Sequence, residues 1–163
     1  MRNLIKYLTH QVTATNQHGV HSPFVYNYLT QCLYQQKDFK TSKSLNVLLN
    51  SMAYFSIGSI KTISSDPEIE NRIHEAVNVR MNQKPPFDMF YFEHPPEELE
   101  LQSKDIHNDT VLFITNIYLS RSSENAWQHM KEQPIFTVSI DLFHCGLLFF
   151  RKEQVKEHFK IRI

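Results

Sequence analysis

FSIGSIKTISSDPEI, residues 55–69, contains one strand-to-helix turn, and the class of the whole chain depends on how it is read. Ile60-Lys61-Thr62-Ile63 is apolar at both tips and reads as a strand. Ser64-Ser65-Asp66-Pro67 then opens a helix from Glu68 to Val79, with Ile69, Ile73, Ala76 and Val77 on its inner side. In many α/β enzymes a turn of this kind holds a nucleotide cofactor over a bed of glycines. The only glycine near it is Gly58, which comes before the strand. The chain has three glycines in all, Gly19, Gly58 and Gly146, where an average usage of about 7% would give roughly eleven. Neither GxGxxG nor GxxxxGK[ST] can be written anywhere in it, so the backbone cradle those motifs make for phosphates is missing.

Working outward, strands and helices alternate on both sides of this stretch. Arg2 to Val12 carries Leu4, Ile5, Leu8 and Val12 at helical spacing, which predicts a short amphipathic helix. Ser22-Pro23 reads as an N-cap and first-turn proline, followed by Phe24, Val25, Tyr28, Leu29, Cys32 and Leu33 along one helix face. Residues 44–55 form a further helix candidate, with Leu45, Leu48, Leu49, Met52 and Phe55 on one side. Beyond the Pro85-Pro86 breaker, residues 87–92 (FDMFYF) and 109–116 (DTVLFITN) have the near-continuous apolar character of strands buried on both faces. Ser122-Ser123-Glu124 starts a helix carrying Ala126, Trp127 and Met130. FTVSIDLF (136–143) and GLLFFRK (146–152), separated by His144-Cys145 with Gly146 adjacent, predict an antiparallel hairpin, and a short strand at 158–163 follows. This order predicts an α/β layered domain, mostly parallel, with an antiparallel edge.

The bulk composition excludes several classes. At 163 residues and 41% hydrophobic, the chain can bury one sizeable core. Its formal charge is zero and its pI about 7.1, without the basic surplus of an electrostatic nucleic-acid binder. Lys6, Thr9 and His10 interrupt the N-terminus too early for a secretory apolar segment, and no run reaches the roughly 18 apolar residues of a membrane span. Cys32 and Cys145 match no zinc spacing and suggest no disulfide framework, so inert thiols in a cytoplasmic protein are expected.

AWQHMKEQPIFTVSIDLFHCGLLFFRKEQVKEHFKIR (126–162) and HGVHSPFVYNYLTQCLY (18–34) resemble segments of class I S-adenosylmethionine-dependent methyltransferase-like proteins. That family has a seven-stranded sheet ending in an antiparallel hairpin. FDMFYFEH is similar to its fourth strand, DTVLFITNIY to its fifth, and TVSIDLF with GLLFFRK to its last two. The resemblance covers about two-thirds of the chain and fails in the middle. It implies a reduced Rossmann-like methyltransferase fold, with a helical N-terminal extension over residues 1–43 and a truncated α/β domain over 44–163. The family's first strand runs into an acidic-Leu-Gly turn that this chain lacks. Residues 60–66 are therefore either that first strand with serines in place of glycines, or the second strand left after deletion of the first. The second reading is preferred, because it accounts for both the short length and the missing glycines.

The departures fall where the chemistry would be. At the end of the fourth strand the family's Asp-Gly-Asn-His is replaced by Glu93-His94-Pro95-Pro96, and at the fifth its Asp-Asp-Ile-His is replaced by Thr115-Asn116-Ile117-Tyr118. Glu93, His94 and Asn116 are thus the catalytic candidates, and Ser65 and Asp66 the cofactor-binding ones. Against these stand plainer roles, a solvated loop at Glu93 and a helix cap at Asp66. One carboxylate is too few for a hard-cation site, and no metal is expected. His18, His21 and Ser22 offer no third partner and read as structural. The resemblance implies a methyltransferase-like protein that has lost S-adenosylmethionine binding and catalysis and acts as an interaction or regulatory protein. The alternatives are an active S-adenosylmethionine-dependent methyltransferase in which Asp66 and Glu93 hold the ribose and amino groups, and a non-catalytic subunit of a methyltransferase assembly. A homodimer or protein partner is expected, engaged through an exposed sheet edge; no nucleic acid or membrane is.

Overall fold

In the computed structural model, which describes the chain from residue 2 to 163 and side chains from residue 3, the expected strand forms as β1 (Ser59–Ile63). It is followed in the chain by β2 (Arg80–Met81), β3 (Met89–Phe92), β4 (Val111–Thr115), β5 (Val138–Asp141), β6 (Cys145–Phe149) and β7 (Glu157–Lys160). These make one seven-stranded sheet in the order β2-β1-β3-β4-β6-β5-β7. Only β6 runs against its neighbours; every other adjacent pair is parallel. The fold is α/β and Rossmann-like, mostly parallel, with the β5–β6 antiparallel hairpin near the C-terminus.

Alternation along the strands divides the core between two faces. Met89, Tyr91, Val111 and Phe113 point into a cluster with α2 (Pro23–Tyr28, continued by a π-helical turn to Leu33), α3 (Lys43–Tyr54) and α4 (Glu68–Ala76). Phe90, Phe92, Leu112 and Ile114 point the other way, against Trp127 and Met130 of α5 (Arg121–Glu132). No helix joins β3 to β4; Leu99, Leu101 and Ile106 of that connection pack on the second face instead. Trp127, Phe149 and Phe150 are core residues, as the sequence pattern predicts. Ser22 caps α2 through the Val25 N–H. Val20, Val25, Tyr28, Leu29, Cys32 and Leu33 belong to the same cluster as the sheet.

β1 leads outward to β2, and the chain then returns on the other side of β1 as β3. The hairpin turn is Leu142-Phe143-His144 rather than His144-Cys145, because the Asp141 carboxylate accepts the Phe143 N–H at 2.9 Å and closes the chain one step earlier. Gly146 therefore lies within β6.

The amphipathic helix expected over residues 2–12 forms as α1 (Arg2–Thr13). An amphipathic helix normally turns its apolar stripe to the core, yet Leu4, Ile5, Leu8 and Val12 face outward, 55–84% exposed. The buried face is polar. His10 Nε2 meets Asp141 Oδ1 at 3.1 Å, Lys6 pairs with Glu124, and Lys160 and Arg162 reach Thr13 Oγ1 and the Gln11 carbonyl. Tyr7 and His10 also pack edge-on against Phe143.

Candidate functional site

Connections leave β1 and β3 in opposite directions, which makes their C-terminal ends the switch point at which open α/β sheets bind ligands. The sequence places Ser64, Ser65 and Asp66 after β1, Glu93 and His94 after β3, and Asn116 after β4. Glu93 ties all three strand ends together. Its Oε2 accepts the Ser64 hydroxyl at 3.0 Å, the Ser65 N–H at 2.7 Å and the Ser65 hydroxyl at 2.8 Å. Its carbonyl accepts the Thr115 hydroxyl at 2.8 Å and the Asn116 side-chain amide at 3.0 Å. Asn116 itself has φ +57°, a left-handed conformation that asparagine tolerates better than most residues.

These contacts set the electrostatics. The Ser65 hydroxyl and N–H, helped by Ser64 and His94 against a smaller effect of burial, hold the Glu93 carboxyl below the usual carboxylate range. A general acid or base is tuned toward the working pH; Glu93 is tuned away from it and stays ionised. His94 is half-exposed with Nε2 3.7 Å from Glu93 Oε1, too far for a hydrogen bond. Asp66 Oδ1 accepts the Glu68 N–H at 2.9 Å, and the Asp66 N–H donates to Ser64 Oγ at 3.0 Å. Asp66 thus does the capping expected of it from one position before the helix-flanking Pro67.

Asp66, Glu93 and Asn116 line one cavity of about 360 Å³ between the strand ends and the starts of α3 and α4. Ser65 and His94 lie outside that lining. Ser42, Ser44, Arg72, Tyr91 and Thr115 line it too, with Leu45 and Ile69 as its apolar wall, and none of the five polar residues was singled out as a site residue in the sequence. Tyr91 and Thr115 sit in apolar strands and Arg72 at i+4 from Glu68 on a helix surface, positions whose sequence carries no sign of a cavity. Ligand sites of this kind hold roughly 300–1,000 Å³, so the space is at the small end.

The other sequence candidates do not converge on chemistry. His18 lies in a 3-10 turn capped by Asn16 and His21 is exposed. Cys32 and Cys145 are buried; burial pushes the Cys32 thiol up to about 12 and the Cys145 thiol further, so neither is a ready nucleophile. Among the described residues no three His, Cys, Asp or Glu side chains gather as metal ligands, and no helix is long and apolar enough to cross a membrane.

No protein-family model matches the chain, and neither does any curated protein. Among solved structures it is similar to the crystal structure of a Staphylococcus aureus protein inferred to be a caffeoyl-CoA O-methyltransferase. The TM-score is 0.45 at 10% identity, over 91% of this chain and 99% of that one. At that distance the likeness carries neither reaction nor ligand to this chain.

Proposed function

We propose that this is a methyltransferase-like protein which has lost S-adenosylmethionine binding and catalysis and works through contacts with other proteins, as an interaction or regulatory protein. One observation carries the reading: the turn after β1 is filled by the chain's own Glu93 carboxylate. Two hydroxyls and a backbone N–H that would greet a ligand at the switch point are already bound. A ligand taking them would have to displace an ionised carboxylate hydrogen-bonded on three sides, and charge-assisted bonds of this kind are worth about 1.5–3 kcal/mol each. No glycine stands in the turn to let a ligand approach the backbone more closely.

A second reading rests on the cavity itself, in which Asp66 and Glu93 face the same space. On that reading the chain is an active S-adenosylmethionine-dependent methyltransferase, with Asp66 and Glu93 holding the cofactor's ribose and amino groups. Calorimetric titration and thermal unfolding with S-adenosylmethionine and S-adenosylhomocysteine separate the two. A ligand at 100 times its dissociation constant stabilises by about 2.7 kcal/mol, or roughly 5–10 °C for a domain of this size. The expected result is no saturable heat and a shift under about 1 °C. Micromolar binding that Asp66→Ala abolishes would establish the second reading instead.

A further inference from the structure

We propose that a cavity at the sheet end opposite Glu93 binds a small amphipathic carboxylate, one anionic group on an apolar body of about ten heavy atoms. This site lies apart from the switch-point cavity and goes beyond the function proposed above.

The cavity follows from the way the chain crosses from β3 to β4. Crossovers between parallel strands usually carry a helix, and this one carries none. Between the connection, the end of α5 and the chain leaving β6, a space of about 380 Å³ stays open, within the range of small-ligand sites. Ile106, Pro134, Ile135 and Phe150 form its apolar wall. Phe150 is 6% exposed and rests on Phe136, with ring centroids 5.0 Å apart, whereas Ile135 is 48% exposed at the mouth. The connection is tied down without a helix of its own. The Phe87 N–H donates to the Asp105 carbonyl at 2.9 Å, the His107 N–H to Thr110 Oγ1 at 2.8 Å and the Lys152 N–H to Asn108 Oδ1 at 3.0 Å. The space is therefore preformed, and a ligand entering it has little of the protein to order.

The polar groups of the lining decide what it accepts, and three of the five are already taken. The Thr137 hydroxyl is shared between the Phe149 and Arg151 carbonyls. The Asn108 amide holds Glu153 Oε2 and the Lys152 N–H. His107 meets Asp88 through Nε2 and accepts the Asp109 N–H through Nδ1. What is left is the Ser103 hydroxyl and the Lys152 ammonium, both exposed at the rim and neither bonded to any other of the described residues. No carboxylate lines the cavity. Asp109 and Glu153, next to it in the chain, are held by Arg151 and Asn108. A hydroxyl and a cation above an apolar wall are the complement of a carboxylate on an apolar body. A peptide fits less well: β4, β5 and β6 each have strands on both sides, so no free edge opens here for an extended main chain.

The test is titration of 4-phenylbutyrate into the full chain, followed by calorimetry and amide chemical shifts. 4-Phenylbutan-1-ol and 4-phenylbutylamine carry the same body with a neutral and a cationic end. The carboxylate should bind saturably between roughly 10 μM and 1 mM. The alcohol should bind about tenfold more weakly, and the amine more weakly still. Shifts should appear at Ile106, Ile135 and Thr137 and not at Asp66 or Arg72. Lys152→Ala should weaken the carboxylate about tenfold and leave the alcohol within about twofold. Ile135→Asp should weaken both by about tenfold or more. Both side chains are exposed, so the unfolding temperature of either variant should stay within about 2 °C of the wild type. No saturable binding of the carboxylate up to about 5 mM would overturn the proposal. So would an alcohol or amine that binds as tightly, an affinity indifferent to Lys152→Ala, or shifts confined to the switch-point cavity.

Discussion

Asp141→Ala is expected to lower the stability of the folded chain by about 3–5 kcal/mol, the cost of removing one partner from a buried charged network, and hence its unfolding temperature by roughly 10 °C. The Asp141 carboxylate lies at the end of β5, 5% exposed. It accepts from the Phe143 N–H and the Tyr118 hydroxyl and meets His10 Nε2 at 3.1 Å. Burial alone would raise its pKa, but the bonds from His10, Tyr118 and Phe143 outweigh it and hold the carboxyl below the ordinary aspartate value of 3.8. The same charge, after burial, pushes the Tyr118 hydroxyl well up, so the tyrosine stays a donor. Without Asp141, both His10 nitrogens are orphaned in the interior, since His10 Nδ1 already has no hydrogen-bond partner among the described residues.

The pH dependence follows in sign. A carboxyl whose folded pKa is depressed contributes its stability above the unfolded value and loses it as pH falls through the folded one. The difference between wild type and Asp141→Ala, read from urea unfolding, should hold from neutral pH to about pH 5 and shrink as pH falls below 3.8. A constant difference down to pH 3 would show that Asp141 acts by shape rather than charge. Because this network fixes α1, amide exchange along residues 3–13 should quicken more in the variant than exchange in β3 and β4.

Gly146→Val is expected to cost about 3 kcal/mol, at the upper end of ordinary overpacking. A Cβ at this position would stand 2.4 Å from Cη2 of Trp127 and under 3 Å from two more atoms of its ring. Trp127 is wholly buried between Gly146 and the second-face cluster and has no room to retreat. Shrinking the ring should return part of the loss. In a double-mutant cycle, Gly146→Val combined with Trp127→Leu should be more stable than the sum of the single changes by about 1 kcal/mol or more. Strict additivity would mean that the ring does not set the limit.

Gly146 also illustrates what sequence could and could not convey. The sequence puts Gly146 at the start of a hairpin strand, next to the turn; the turn is Leu142-Phe143-His144, held by the Asp141 carboxylate, and Gly146 is small because a tryptophan 19 positions earlier in the chain lies across it. The switch-point cavity divides in the same way. Asp66, Glu93 and Asn116 were named because the family resemblance set them at the ends of strands, where open α/β sheets bind ligands. Arg72, Tyr91 and Ser42 join them only through the crossing of α3 and α4 over the strand ends.

By itself the sequence determined the α/β class, the two doubly buried central strands, the Ser22 cap and the want of a glycine cradle. Each of these depends on residue spacing within one element or on composition. Only the tertiary structure decided that β3 returns beside β1, since strand order is set by which edges find each other across crossovers. It alone decided that the Glu93 carboxylate reaches across to fill the Ser64–Ser65 turn. And it alone turned α1 apolar side out: periodicity gives a helix its two faces, but which one meets the protein depends on what lies opposite, and there the buried Asp141 carboxylate faces His10.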